Sequence, residues 1–207
     1  MKLKIKLIAT IVIGLIIGVQ TINAQDYSST VNLSQKSLAI REVRSNAITA
    51  SIGWNGLTGV GIIYNNYLAK QMGLEIGVGI AATGFKFGGR FRYLFSEKNF
   101  SPFVSAGFMY GLGLNDVEID FENNQTGNKY SYTINSSPFA QIGGGIEYLS
   151  KNGFLITGVL GYAILLKDSN YEIITGVPTK DELSVMDKAF GSGIVIEFTI
   201  GYAFGGK

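Results

Sequence analysis

The sequence predicts an all-β fold: an eight-stranded antiparallel up-and-down transmembrane β-barrel, preceded by a signal peptide. Three observations predict it. From residue 47 onward, large apolar residues recur at every second position in eight stretches, the period of a strand with one apolar and one polar face. The residues between them are mostly Gly, Ala, Ser and Thr, whereas a water-facing exterior would be rich in Lys, Glu, Asp and Arg. All the long links between stretches fall on one side, as short periplasmic turns and longer outer loops would.

The last stretch shows the pattern most fully. Phe190, Ile194, Ile196, Phe198, Ile200, Tyr202 and Phe204 alternate with Gly191, Gly193, Glu197, Thr199, Gly201 and Ala203. Its length, about 10–15 residues, suits a tilted transmembrane strand, which needs roughly 9–11.

Taken in order, residues 1–24 read as a signal peptide. Lys2, Lys4 and Lys6 form a basic start, Leu7 to Val19 is an apolar run of 13 residues, and a cut is expected near Ala24. That run is short of the roughly 20 residues a membrane helix requires. Residues 25–46 are polar and weakly patterned and read as a solvated periplasmic lead-in. Arg41 and Arg44 argue against placing them in a membrane.

The barrel is expected over residues 47–204. Its first strand sets Ile48, Ala50, Ile52 and Trp54 against Thr49, Ser51, Gly53 and Asn55, and Asn55-Gly56 is a tight-turn signal. Strand two sets Val60, Ile62 and Tyr64 against Gly59, Gly61 and Asn65. Strand three sets Leu74, Ile76, Val78 and Ile80 against Gly73, Glu75, Gly77 and Gly79. Strand four sets Phe85, Phe87, Phe91, Tyr93 and Phe95 against Lys86, Gly88, Arg90 and Arg92. Strand five sets Val104, Ala106, Phe108, Tyr110, Leu112 and Leu114 against Ser105, Gly107, Met109, Gly111 and Gly113. Strand six sets Ala140, Ile142, Ile146 and Tyr148 against Gln141, Gly143, Gly145 and Glu147. Strand seven, Phe154 to Leu165, is apolar on both faces; Ile156, Leu160 and Tyr162 are assigned outward.

Composition excludes several functions. The chain has no cysteine and no histidine, so it lacks thiolate metal sites and the commonest general base. Without the three lysines of the signal, fourteen basic residues face fifteen acidic ones, which gives no electrostatic case for nucleic acid. The glycine pairs and Gly143-Gly144-Gly145 lack the strand-to-helix turn and following Lys-Ser/Thr of a phosphate loop. No cofactor, metal or catalytic residue is expected.

The polar face carries Glu75, Arg90, Arg92, Glu147 and Glu197. Facing lipid near mid-membrane, each Arg would cost roughly 2–4 kcal/mol; facing inward, the arginines can pair with the carboxylates. A lumenal charge network that plugs the bore is therefore expected, the alternative being a gate or small-ion path. Aromatics stand toward the strand ends. Trp54, Tyr93, Phe95, Tyr148, Tyr202 and Phe204 read as an aromatic girdle at the membrane interfaces.

Two long links remain, 115–136 and 166–189. In the first, Val117, Ile119 and Phe121 alternate with Glu118, Asp120 and Glu122, and Tyr130, Tyr132 and Ile134 alternate on the return. This predicts a projecting hairpin with its tip at 123–128, either an edge for a partner strand or a solvated extension. The second, with Lys180-Asp181-Glu182 and Asp187-Lys188, reads as a mixed-charge loop.

The stretch from Gly59-Val60-Gly61 through Tyr93, with Ser101-Pro102-Phe103-Val104-Ser105-Ala106-Gly107 and Gly143-Gly144-Gly145-Ile146-Glu147-Tyr148, resembles small outer-membrane β-barrel proteins of the porin-like superfamily. The resemblance covers about residues 47–204. It implies a bacterial outer-membrane location, outer-membrane lipid around the wall, and handling by the barrel-insertion machinery. In such families that machinery reads a terminal aromatic; Tyr202 and Phe204 match, but Gly205-Gly206-Lys207 follow. The function expected is non-enzymatic: envelope structure or surface binding through the loops at 115–136 and 166–189. The alternative is a narrow channel for small solutes or ions.

Overall fold

The computed structural model describes residues 39–114, 117–123 and 127–205. The expected signal peptide, its cut near Ala24 and the lead-in up to residue 38 lie outside the described residues, as do Gly206 and Lys207.

In chain order the elements are α1 (Ile40–Val43), β1 (Asn46–Trp54), β2 (Val60–Ala69), β3 (Met72–Ala81), β4 (Gly84–Leu94), β5 (Phe100–Gly111) and β6 (Ile119–Glu122). They continue with β7 (Lys129–Ile134), β8 (Ser137–Leu149), β9 (Phe154–Leu165), β10 (Tyr171–Thr175), α2 (Lys180–Phe190) and β11 (Gly193–Phe204). Among the described residues, β1, β2, β3, β4, β5, β8, β9 and β11 form a closed antiparallel barrel of eight strands, the strand number and all-β architecture expected. Closure is made by β1 on β11, from Asn46 opposite Phe204 to Trp54 opposite Ile196.

The period-two pattern decides which way each side chain points. Ile52, Val60, Ile80, Leu160, Ile194 and Phe198 stand outward and are each more than half exposed. Thr49, Ser51, Asn65, Gln141, Thr157 and Thr199 point inward and are buried. The ambiguous strand β9 resolves as assigned, with Ile156, Leu160 and Tyr162 outward and Leu155, Val159 and Ala163 buried.

The interior is less polar than expected. One apolar cluster, with Tyr67, Leu94, Phe103, Leu149, Leu155 and Val159, fills the end that carries Asn46 and Phe204, here the terminal end. A second, with Leu57, Ile63, Met109, Phe139, Ala163 and Val195, fills the opposite, loop end. Inward apolar side chains interrupt the alternation of small and large residues, which is why β9 looked apolar on both faces.

Other expectations need correction; strand five, for one, ends at Gly111, before Leu112 and Leu114. The closing strand starts at Gly193; Phe190 ends helix α2 instead. The link after β1 is not a tight two-residue turn. Residues 55–59 fold into the bore, with Leu57 and Thr58 fully buried. Two inward glycines make the room: a Cβ on Gly77 would lie 2.5 Å from Thr58 Cγ2, and one on Gly88 would lie 3.0 Å from Leu57 Cδ1. The end of the lead-in is not a solvated tail either. Helix α1 sits against the terminal end, with Ile40 packed on its apolar cluster and Arg41 only 1% exposed.

The second long link is likewise not featureless. Thr179 caps α2: its hydroxyl accepts from the Glu182 backbone N–H (3.3 Å), while Glu182 accepts from the Thr179 N–H (2.7 Å). This reciprocal capping box is the T-x-x-E pattern that starts helices. Upstream, β10 pairs with β7, so the hairpin β6–β7 belongs to a three-stranded sheet in the order β10-β7-β6. One edge of the projecting hairpin is thus covered by the chain's own second link.

Candidate functional site

Glu75 and Arg90 lie directly opposite each other on β3 and β4, and Arg90 Nε donates to Glu75 Oε2 at 2.6 Å. From this cross-strand pair the ion pairs extend in both directions through the bore. Toward the loop end, Arg90 Nη2 donates to Glu197 Oε1 at 2.6 Å, and Glu197 Oε2 accepts the backbone N–H of Leu57. Toward the terminal end, Arg92 Nε lies 3.3 Å from Glu75 Oε1, and Arg92 Nη1 lies 2.9 Å from Glu147 Oε2. Arg41 Nε then donates to Glu147 Oε1 at 2.8 Å.

The result is one alternating column: Arg41, Glu147, Arg92, Glu75, Arg90, Glu197. It runs from helix α1 at one mouth to the inward turn at the other. All six side chains are at most 1% exposed. Charges can be buried this way only when paired and hydrogen-bonded. The bore places Glu75, Arg90, Arg92, Glu147 and Glu197 together, and adds Arg41 to them.

Polar partners finish the column. Tyr67 donates to Glu147 Oε2 at 2.9 Å, and its ring lies under both Arg41 (5.8 Å) and Arg92 (5.9 Å). Arg92 also stacks on Phe103 at 5.1 Å and donates to Asn65 Oδ1. Such cation–aromatic contacts gain strength where water is excluded. At the loop end, Lys86 Nζ donates to the Gly56 carbonyl at 2.7 Å and lies over the Phe139 ring. The hydroxyls of Ser51 and Thr58 bond to each other.

Arg41 within the column, and Tyr67 and Lys86 beside it, were not among the charge network expected from the sequence. Lys86 was legible as inward-facing from the alternation of β4. Arg41 carried no local signal, because its partner lies 106 residues away and its helix has 4 residues.

Each interior carboxylate is occupied: Glu75 by two arginines, Glu147 by two arginines and Tyr67, Glu197 by Arg90 and the Leu57 N–H. Among the described residues there is no group of three potential metal ligands.

The aromatic residues separate by end. Tyr93, Phe95, Tyr148, Tyr202 and Phe204 stand on the outer wall toward the terminal end, with Phe154. Tyr93 and Phe95 meet edge to face at 5.5 Å. Trp54 stands at the loop end of β1.

Beyond the loop end, α2 packs on one face of the β10-β7-β6 sheet. A run of aromatic contacts links Phe121 to Tyr130 (5.1 Å), Tyr130 to Tyr132 (6.1 Å), Tyr132 to Phe190 (5.9 Å) and Phe190 to Tyr171 (6.5 Å). Glu182 joins helix to hairpin by accepting from the side-chain amides of Asn123 (2.8 Å) and Asn128 (2.9 Å). With the Thr179 N–H, these donors hold its carboxyl well below the usual carboxylate range, at about 2. Burial, together with its hydrogen bond to Asp187, pushes the Tyr171 hydroxyl up to about 12.

No family model matches the chain, and no curated protein matches it. Among solved structures, it is similar to the crystal structure of the N-terminal β-barrel domain of Pseudomonas aeruginosa OprF. The two share 16% identity over 78% of this chain and 98% of that one, with a TM-score of 0.45.

Proposed function

We propose that this chain is a non-enzymatic bacterial outer-membrane protein with a closed bore, acting in envelope structure or in surface binding through its outer module. The observation that carries this reading is the direction of the wall. Large apolar side chains cover the outside of the barrel on every strand, while the charges are gathered inside. An exterior of that kind is stable in hydrocarbon, and barrel closure leaves no unpaired strand edge there.

The column supports the closed bore. It is flanked by an apolar cluster at each end, and both mouths are covered, one by α1 and the other by residues 55–59. An eight-stranded barrel leaves room for little beyond its own side chains. The absence of histidine and cysteine from the sequence and the occupied state of every interior carboxylate support the non-enzymatic reading. The sorting of both long links to one end supports a surface role for the sheet and α2.

Two measurements test this. The protein purified in detergent should migrate differently on gels with and without heating, as a folded barrel does. In planar bilayers it should give no steady openings; steady openings by the unmodified protein would replace the closed-bore reading with the narrow channel.

A further inference from the structure

Between α2 and the β6–β7 hairpin lies a groove of about 340 Å³, lined by Phe121, Tyr130, Tyr132, Asp181, Met186 and Phe190 among others. That volume is at the lower end of the range for small-ligand sites, roughly 300–1,000 Å³. Four of its ten lining residues are aromatic, beside Val185, Met186 and Ala189. Phe121 is 42% exposed and Tyr132 partly so, and both belong to the run of tilted aromatic contacts. Its charged groups are carboxylates: Asp181 and Glu182, in the first turn of α2.

Ring faces beside carboxylates select cations with an apolar body. The wider charge balance points the same way. Residues 117–134 and 166–192 together hold eight acidic and four basic side chains. Lys129 is already paired with Glu122 at 2.9 Å, and Lys180 does not line the groove. An anionic headgroup would be repelled here. The clasp of Asn123 and Asn128 on Glu182 holds the helix across the hairpin, so the groove is formed before anything enters it.

We propose that this groove receives an arginine side chain from a basic segment of a partner protein, the guanidinium lying on the Phe121 and Tyr132 rings and facing Asp181. A planar guanidinium both stacks on rings and pairs with carboxylates, which an ammonium does less well. The proposal deepens the surface-binding reading and names the class of group bound.

The test uses the full chain in detergent micelles, titrated with N-acetyl-Gly-Arg-Gly amide and followed by aromatic-ring NMR. Shifts confined to Phe121, Tyr130, Tyr132 and Phe190 are expected, with far weaker effects from the norleucine counterpart. Phe121→Ala should weaken binding about two- to fivefold. Asp181→Asn, which leaves the sheet intact, should also weaken it, and Glu172→Gln on β10 should not. Equal binding of the norleucine peptide, equal loss in Glu172→Gln and Asp181→Asn, or no ring shifts would each overturn the proposal. Because the readout is in micelles, its failure says nothing against the outer-membrane location, which gel migration and bilayer recording test separately.

Discussion

Arg41 Nε donates to Glu147 Oε1 at 2.8 Å, joining a helix before the barrel to the inner wall of β8 across 106 residues of sequence. The guanidinium also donates to the Ser96 carbonyl, so α1 is fastened to two elements of the terminal end. This bond makes the segment before the barrel part of its closure.

Arg41→Ala should release α1 while leaving the barrel folded. Glu147 would keep Arg92 and Tyr67, so the loss is expected near 1–3 kcal/mol, the range for one buried hydrogen-bonded partner, rather than the 3–5 kcal/mol of an orphaned charge. Limited proteolysis around residues 39–45 and the urea midpoint of the heat-shifted form would report it. Unchanged protection with an unchanged midpoint would show that α1 is held by packing alone.

Replacing both Arg90 and Arg92 with Ala removes the two cations that bridge the three carboxylates. Water should then enter to solvate Glu75, Glu147 and Glu197, and bilayer conductance should rise above that of the unmodified protein. Leakage that stays the same would mean the apolar clusters, not the charges, close the bore.

The inward turn gives a separate test at the loop end. Leu57→Ala should cost about 2–5 kcal/mol, as for other buried leucines, because Leu57 is fully enclosed by Ile63, Met109, Phe139 and Val195. Gly77→Leu should expel the turn, since even a Cβ at that position crowds Thr58, Ile63 and Leu57. Protease access to residues 55–59 distinguishes expulsion from simple loosening.

Glu182 makes the outer module sensitive to acid. Its folded value of about 2 lies below its ordinary 4.5. The contribution of its ionised form is therefore complete above about 4.5 and is lost as pH falls toward and through about 2. The carboxyl carbon resonance of Glu182 should titrate near the lower value, and the Asn123 and Asn128 side-chain amides should shift with it. Glu182→Gln should remove that titration and loosen α2 while the barrel's heat-shifted migration persists.

How much was legible depended on the range of each interaction. The inward direction of Glu75 and Arg90 could be read from the period of two, but their pairing is set by the register of β3 on β4. The inward direction of Arg92, Glu147 and Glu197 followed from the same alternation. Helix α2 was legible too, in Thr179-Lys180-Asp181-Glu182, but the charges around it read as a loop. Arg41 was misjudged because a buried position for an arginine exists only once Glu147 and the Ser96 carbonyl are brought beside it.

By itself, the sequence determined the wall: strand number, strand direction and the face each residue presents. Those follow from period-two alternation and link length, which are local properties of the backbone. Only the tertiary structure decided what fills and covers the barrel. The column, the inward turn and the helix on the hairpin join residues far apart in the chain. Their partners are set by strand register and by the space that inward glycines leave, and neither quantity exists before the sheet closes on itself.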